Sequence, residues 1–213
     1  MNAEIEQLKA MISAGQSAGT PSLAERRANM EAMAAVFTPP DDIELETGEL
    51  GGIPILRARP KTRAEGTILY FHGGGYVSGS INTHRGFAAE IARRCYAEVV
   101  SVDYRLAPEQ PFPAALDDAF AAYRGLPGAP LAFMGDSAGG GLALALAMRV
   151  RDERLPLPKR LVLLCPWVDM TCTKPSFERL ADLDPINDAD SLRGDAEAYL
   201  SGTDPRSPLA SPL

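Results

Sequence analysis

The chain has 213 residues, of which 46% are hydrophobic and 23% charged, a composition typical of one globular domain with a sizeable buried core. A net charge of −7, with no cluster of Lys and Arg, disfavours nucleic acid and anionic lipid as partners. Neither a basic, apolar secretion signal nor a run that could span a bilayer is seen, so we expect a cytoplasmic protein with no membrane span. Its 3 cysteines lack metal-ligand spacing, so we expect reduced thiols and no metal site.

Two helices are predicted before residue 41. The first has apolar residues at helical spacing at positions 5, 8 and 12, and the second begins at Ser22, which forms a Ser-x-x-Glu capping box with Glu25. Pro39-Pro40 ends the second helix. Two roles are open for its Met-rich apolar face: packing against the core, or a mobile lid over an active site. The residues of this face are Leu23, Met30, Met33, Ala34 and Phe37.

Six strands and three helices are predicted between residues 43 and 164. The first two strands, at 43–46 and 53–59, are joined by a turn at Gly51-Gly52 and should pair antiparallel beside the main sheet. The next four are short apolar runs separated by helical stretches, the pattern of parallel strands buried on both faces. These strands lie at 67–71, 98–102, 131–134 and 161–164, and the helices at 85–95, 114–123 and 139–151. The sequence therefore predicts an α/β fold with a mostly parallel, doubly wound sheet.

A glycine-rich motif, His72-Gly73-Gly74-Gly75, follows the third strand. Glycines let the main chain approach a substrate closely, and backbone N–H groups aimed at one point stabilise a carbonyl oxygen that becomes an anion. We expect the N–H groups of Gly73, Gly74 and Ala138 to form such an oxyanion hole. Gly75 belongs to the same motif, and the ring of His72 is expected to hold the loop in place.

A serine motif, Gly135-Asp136-Ser137-Ala138-Gly139, lies between the fifth strand and the next helix. This arrangement predicts a nucleophile elbow, in which the flanking glycines leave room for a sharp turn that exposes the serine hydroxyl. We expect Ser137 to be the nucleophile and Asp136 to orient the elbow by hydrogen bonding. A serine nucleophile needs a base, yet no histidine follows Ser137 in this sequence.

Together these motifs resemble the hormone-sensitive-lipase-like carboxylesterases, the bacterial family IV branch of the α/β-hydrolases. The resemblance implies an α/β-hydrolase core at residues 41–169 and a helical cap built from residues 1–40 and 170–213, with a cap helix predicted at about 191–200. It also implies a serine esterase that acts on small, fairly apolar acyl esters without a metal or organic cofactor. The further matching motifs are Asp103-Tyr104-Arg105-Leu106-Ala107-Pro108-Glu109, Pro111-Phe112-Pro113-Ala114-Ala115, Cys165-Pro166-Trp167-Val168-Asp169 and the closing Asp204-Pro205-Arg206-Ser207-Pro208-Leu209-Ala210-Ser211-Pro212-Leu213.

The family pattern places two more strands, the catalytic acid and the catalytic histidine beyond Leu213. We therefore expect the final strands of the sheet to be absent from this chain and the strand at 161–164 to be an uncovered apolar edge. Without its base the chain alone should be nearly inactive. The expected partners are a small ester substrate and the missing carboxyl-terminal segment of the same protein, while a homodimer stays open.

Several assignments stay open at this point. His84, at the start of a helix, either approaches the substrate, where it could act as the base, or plays no part. Trp167 either lines an acyl pocket or fills the core, and Asp103 with Arg105 either touches substrate or forms a buried ion pair that holds its loop. The alternative for the whole protein is a non-catalytic, ligand-binding member of the fold, as in the plant gibberellin receptors, which resemble this family and lack a working histidine.

Overall fold

The computed structural model describes residue 6 and residues 21–35, 38–180, 183–184 and 186–213. Its strands are β1 (Ile43–Leu50), β2 (Ile53–Pro60), β3 (Thr67–Phe71), β4 (Glu98–Val102), β5 (Ala132–Asp136) and β6 (Arg160–Leu164). In the described part of the chain they form one 6-stranded sheet in the order β1-β2-β4-β3-β5-β6. β1 pairs antiparallel with β2, and β2 pairs antiparallel with β4. The strands β4, β3, β5 and β6 run parallel to one another.

Helices connect the parallel strands and flank the sheet. They are α1 (Leu23–Ala34), α2 (Arg85–Cys95), α3 (Ala114–Arg124), α4 (Ala138–Asp152), α5 (Ser176–Arg179) and α6 (Ala189–Leu200). The predicted α/β-hydrolase fold, with its mostly parallel doubly wound sheet, is confirmed. The predicted elements differ from the observed ones by a few residues at their ends, and the one-turn helix α5 was not among them.

The centre of the sheet is buried on both faces because successive side chains of a strand point in opposite directions. Leu69 and Phe71 of β3 enter one core with α3 and α4, while Ile68 and Tyr70 enter a second, smaller core with α2. β3 is the direct neighbour of β5, with Phe71 opposite Gly135. The loops that follow these two strands therefore leave the sheet side by side.

The strand β6 forms the edge of the described sheet and is poorly covered. Its side chains include Leu161, which is 41% exposed, and Val162, which is 37% exposed. The expectation that every parallel strand is buried on both faces is wrong for β6. The uncovered apolar edge expected at the same strand is observed.

The amino-terminal helix α1 begins as predicted. The Ser22 N–H donates to Glu25 Oε2 at 2.8 Å, and the Glu25 N–H donates to Ser22 Oγ at 3.3 Å, which completes the capping box. On its apolar face Ala34 is buried whereas Met33 is 64% exposed. The helix predicted from positions 5, 8 and 12, like residue 37, lies outside the described residues. Among the helices that the structure describes, none has the length and apolar character needed to cross a bilayer.

Candidate active site

Ser137 stands at a strained turn between β5 and α4. Its φ of 50° and ψ of −119° lie in a region that non-glycine residues rarely adopt. The turn is fixed by its own backbone: the Ser137 N–H donates to the Leu164 carbonyl at 2.9 Å, and the Ser137 carbonyl accepts from the Trp167 N–H at 2.8 Å. Backbone strain of this kind is maintained when the surroundings over-determine it, and it is frequent at reactive positions. The geometry is that of a nucleophile elbow.

The two glycines that flank the turn are required by the packing of α4 against the sheet. A Cβ on Gly135 would lie 2.2 Å from the Gly139 carbonyl oxygen. A Cβ on Gly139 would lie 2.1 Å from the carbonyl oxygen of Phe71, at the end of β3. Because backbone atoms cannot give way as a flexible side chain can, no larger residue fits at either position. Ala138, directly after the serine, is the first residue of α4 and is fully buried.

The loop at residues 72–79, called the glycine loop below, lies beside the elbow and is attached to it by Asp136. The Asp136 carboxylate accepts a hydrogen bond from the Tyr70 hydroxyl at 2.5 Å and from the Gly73 N–H at 3.1 Å. Burial alone would raise the pKa of Asp136, but the nearby His84 ring and the hydrogen bond from Tyr70 outweigh it and lower the pKa below its ordinary value. Asp136 therefore stays ionised and joins β3 to β5 at the site.

The Gly73 N–H is not available as the oxyanion donor that we expected. It already donates to Asp136, and a Cβ at residue 73 would lie 2.3 Å from Asp136 Oδ2, so this glycine serves close packing. Among the hydrogen bonds of the described residues, none is donated by the N–H groups of Gly74, Gly75 or Ala138. Gly74 and Gly75 have φ values of 121° and 65°, which favour glycine.

His72 holds the glycine loop from inside the core. Its side chain is fully buried, its ring stacks on Tyr104 with centroids 4.3 Å apart, and Nδ1 lies 2.8 Å from the Gly73 carbonyl oxygen. Because a carbonyl oxygen only accepts hydrogen bonds, Nδ1 carries the proton and Nε2 does not. Burial lowers the pKa of His72 to about 4, with a smaller contribution from His84. The ring is neutral and enclosed, so it is unsuited to exchange protons with a substrate.

His84 precedes the first residue of α2 and approaches the elbow from the side. Its Nε2 lies 3.8 Å from Asp136 Oδ2, and its Nδ1 lies 2.8 Å from Thr83 Oγ1. The ring stacks against that of His72 with centroids 5.4 Å apart. Both ring nitrogens thus face groups of this chain, and the side chain is only 17% exposed. The structure brings His84 to the rim of the site but pairs it with Asp136.

The sole tryptophan, Trp167, belongs to the larger core. It is 8% exposed, its Nε1–H donates to the Asp169 carbonyl at 3.2 Å, and its ring centroid lies 6.2 Å from that of Tyr76. Tyr76 in turn stacks on Tyr199 of α6 at 3.8 Å. An aromatic column therefore runs from the segment after β6, through the glycine loop, to α6. These contacts favour the packing alternative for Trp167.

The ion pair expected between Asp103 and Arg105 is not formed. Arg105 instead holds Asp118 of α3 with its guanidinium, at 2.8 Å between Nη2 and Oδ1, while its backbone N–H donates to Asp118 Oδ2 at 2.8 Å. Asp103 accepts from the Ile81 N–H at 3.2 Å. The buried partner, Asp118, gave no local sequence signal because it lies 13 residues further along the chain.

Several residues that shape the site were missed by sequence reasoning. Tyr70 donates a hydrogen bond to Asp136, and Tyr104 stacks on His72. Asp195 of α6 lies against Gly75. Buried tyrosine hydroxyls usually find a partner, which is the one signal that could have pointed to the two tyrosines. No cluster of His, Cys, Asp and Glu able to hold a metal ion occurs in the part of the chain that the structure describes.

Comparisons with known proteins agree with the fold. A sequence model of the alpha/beta-hydrolase-fold family matches residues 68–213. The acetyl-hydrolase of Streptomyces hygroscopicus is 40% identical over 187 residues, which cover 85% of this chain and 61% of that protein. The ethyl acetate hydrolase of Pseudomonas putida is 34% identical over 206 residues, 84% of this chain and 65% of that protein. The chain thus spans less than two thirds of the length of either relative.

Solved structures give the same picture over the whole chain. An esterase from the bacterial hormone-sensitive lipase family superposes with a TM-score of 0.93 at 38% identity, covering 100% of this chain and 73% of the esterase. The esterase EstE5, soaked with p-nitrophenyl butyrate, superposes with a TM-score of 0.90 at 42% identity, covering 100% of this chain and 74% of its own. The strained serine turn, the adjoining glycine loop and these likenesses together show that the chain belongs to the hormone-sensitive-lipase-like branch of the α/β-hydrolase family.

Proposed function

We propose that the protein containing this chain is a serine carboxylesterase that hydrolyses small, fairly apolar acyl esters. The observation that carries the proposal is the strained Ser137 turn beside a glycine loop whose Gly74 and Gly75 N–H groups lack an acceptor among the described residues. A serine side chain held in this way is the arrangement used for acyl transfer. The names of two relatives, an acetyl-hydrolase and an ethyl acetate hydrolase, support short acyl groups as the substrate class.

The proposed oxyanion donors are the N–H groups of Gly74, Gly75 and Ala138. Gly73 leaves the set because Asp136 occupies its N–H. Ala138 is well suited because it opens α4, where the helix dipole favours negative charge. When Ser137 Oγ attacks the ester carbonyl, the carbonyl oxygen becomes an anion, and each such donor is worth about 10²–10³ in rate.

The base is proposed to come from polypeptide beyond the part of the relatives that this chain matches. His72 is buried with a pKa of about 4, and His84 faces Asp136 and Thr83. A histidine from the downstream segment would accept the Ser137 proton and return it to the departing alcohol. It would then take a proton from the water that attacks the acyl-enzyme, releasing the acid and restoring Ser137. The two helical segments, residues 1–40 and 170–213, are proposed to form the cap.

A non-catalytic, ligand-binding protein remains the second candidate. It would need a surface that binds the ligand but not a serine held at a φ of 50° with donors beside it. Such strain costs roughly 1–3 kcal/mol, and a binding protein gains nothing from maintaining it. The relatives that match the chain bear the names of hydrolases and esterases, which also favours the enzyme.

Hydrolysis of p-nitrophenyl acetate and butyrate tests the proposal. The protein that includes the downstream segment should turn over both esters, and Ser137→Ala should lower kcat by at least about 10⁴, because the nucleophile is lost. Ser101→Ala is the matched control, since Ser101 is buried in the nearby strand β4 and its Oγ has no hydrogen-bond partner among the described residues. Equal rates for Ser137→Ala and the unsubstituted protein would exclude the serine esterase.

The origin of the base needs a separate measurement. Residues 1–213 alone should show almost no turnover, and adding the downstream segment in the same chain should restore it. Mass spectrometry after treatment with an organophosphate should find the adduct on Ser137 in the longer protein. Rapid turnover by residues 1–213, abolished in His84→Gln, would place the base at His84 instead.

A further inference from the structure

The helix α1 is attached to the glycine loop through charged side chains. Arg26 donates both terminal nitrogens to Asp195 of α6, at 3.0 and 2.7 Å. Such two-fold pairing fixes orientation as well as distance. The pair is largely shielded from solvent, with the side chains of Arg26 and Asp195 only 33% and 14% exposed. The helices α1 and α6 are thereby joined directly to one another.

Asp195 also contacts the glycine loop. A Cβ built on Gly75 would lie 2.4 Å from Asp195 Oδ2, so the carboxylate lies directly against the backbone of this residue. Gly75 has a φ of 65°, and the residue that follows it, Tyr76, stacks on Tyr199 of the same helix α6. Asp195 and Tyr199 therefore lie on successive turns of α6 and cover the middle of the loop.

Arg27, next to Arg26 on α1, holds the far end of the loop. Its Nε–H donates to the Val77 carbonyl at 2.7 Å and Nη2 donates to the Ala107 carbonyl at 2.9 Å. Glu109 accepts from both terminal nitrogens at 2.7 and 2.8 Å, which fixes the guanidinium plane. The Val77 N–H donates back to the Gly74 carbonyl at 3.1 Å. Arg27 thus anchors the turn that contains Gly74 and Gly75.

We propose that Arg26, Arg27 and Asp195 are positioning residues that keep the Gly74 and Gly75 N–H groups aimed at the ester oxygen; this proposal rests on the esterase function proposed above. Successive glycines have the largest conformational freedom of any residues. An oxyanion hole is effective only when its donors are oriented before the charge appears. Asp136 fixes the loop from the sheet side at Gly73, whereas the two arginines and Asp195 fix it from the cap side.

The proposal makes the cap part of the catalytic apparatus and not only a cover. Loosening these contacts should leave substrate binding nearly intact, because none of the three side chains has to touch the ester. It should slow the chemical step, because mobile Gly74 and Gly75 N–H groups stabilise the developing oxyanion less than fixed ones do. A cap that acted only as a lid or substrate wall would instead change KM.

Hydrogen exchange on residues 1–213 tests the anchoring without any need for activity. Arg27→Gln should speed exchange of amides in residues 72–79 by about tenfold or more, since loss of a charge-assisted hydrogen bond has roughly this effect on a local equilibrium. Arg26→Gln should give a similar change, and Arg27→Lys, which keeps one donor, a smaller one. The control is Arg149→Gln, since Arg149 is 27% exposed and joins Asp117 and Glu153 away from the loop. Unchanged exchange in both Arg26→Gln and Arg27→Gln would overturn the proposal.

Kinetics of the protein with its downstream segment test the consequence. Arg26→Gln, Arg27→Gln and Asp195→Asn should each lower kcat about tenfold, with KM within about twofold, and Arg27→Lys should recover part of the loss. A rise in KM with unchanged kcat would overturn the positioning role. Absence of Ser137-dependent turnover in the unsubstituted protein would overturn the esterase function and the catalytic consequence with it, and the exchange experiment would still decide the anchoring.

Discussion

At the scale of single residues, the site depends on side chains that satisfy the backbone of distant loops. Asp136 lies next to Ser137 in sequence, but its carboxylate accepts hydrogen bonds from the Tyr70 hydroxyl and the Gly73 N–H, 66 and 63 positions away. The ring of His72 contacts the carbonyl of the next residue, Gly73, at 2.8 Å. Gly73 therefore has both of its polar backbone groups engaged, whereas the N–H groups of Gly74 and Gly75 donate no hydrogen bond among the described residues.

The burial of His72 predicts a pH dependence of stability. The native state keeps its pKa near 4 against 6.5 in an unfolded chain, so the unfolded state binds more protons between these values. The stabilisation is complete above pH 6.5 and is lost as the pH falls towards 4, by up to about 3 kcal/mol. Urea unfolding of residues 1–213 at several pH values should show this loss.

His72→Asn is the matched variant for this experiment, because an asparagine amide can still donate to the Gly73 carbonyl but does not titrate. The variant should be less stable than the unsubstituted chain at pH 7, and the difference should shrink between pH 6.5 and 4. A parallel decline of the two chains over this range would show that His72 does not supply the effect.

The sequence indicated which residues form the site more accurately than it indicated which hydrogen bonds those residues make. The two motifs led to Ser137, Asp136 and the glycines, because steric demands at a sharp turn leave few alternatives to glycine. The assignment of Gly73 as a donor differs from the structure because the competing acceptor lies on another strand. Arg105 was paired with the wrong aspartate for a similar reason. The sequence alone does not show which of several carboxylates will accept a hydrogen bond from a buried donor.

At the scale of secondary-structure elements, the close packing of α4 against β3 determines where the serine stands. Gly139 allows this helix to approach the end of β3 so closely that a Cβ would lie 2.1 Å from a backbone oxygen. The parallel strands were predictable because they are short continuous apolar runs, whereas helices have apolar residues at a spacing of 3.6. The closeness of a helix to a sheet has no such periodicity, and only the small residues in Gly139-Gly140-Gly141 indicate it.

This packing predicts a large difference between two glycine substitutions. Gly139→Ala should lower the free energy of unfolding by about 3 kcal/mol, since overpacking against a backbone forces the helix to move. Gly194→Ala in α6 should raise it by about 0.5–1 kcal/mol, because nothing lies within 4 Å of the added Cβ and alanine favours a helix. The shift of the urea midpoint, at an unchanged m-value, measures the change in the free energy of unfolding for each variant. Similar effects at the two positions would contradict the close approach of α4.

At the scale of the whole molecule, the described sheet ends in an apolar strand. Leu161 and Val162 of β6 are exposed, and the edge of β6 has no neighbouring strand in the described residues. Free strand edges pair readily with other chains. We therefore predict that residues 1–213 self-associate in solution through β6.

Val162→Lys should reduce this self-association, because a charge on an edge strand opposes pairing. Sedimentation velocity over a range of concentrations should show a shift towards monomer. Leu157→Lys is the control, since Leu157 is 49% exposed but precedes β6. If both variants associate as strongly as the unsubstituted chain, contact through β6 is excluded.

The order of the strands has a consequence for how the protein is made. Ile68 of β3 lies opposite Ala132 of β5, although translation separates these residues by 64 positions. At about 5–20 residues per second, the ribosome needs roughly 3–13 seconds to bridge that distance. Within this interval β4 is synthesised before β5, so β3 can pair with β4 while the nascent polypeptide still lacks the serine turn. The glycine loop and the serine turn are therefore synthesised apart, and they meet only after the intervening polypeptide has left the exit tunnel.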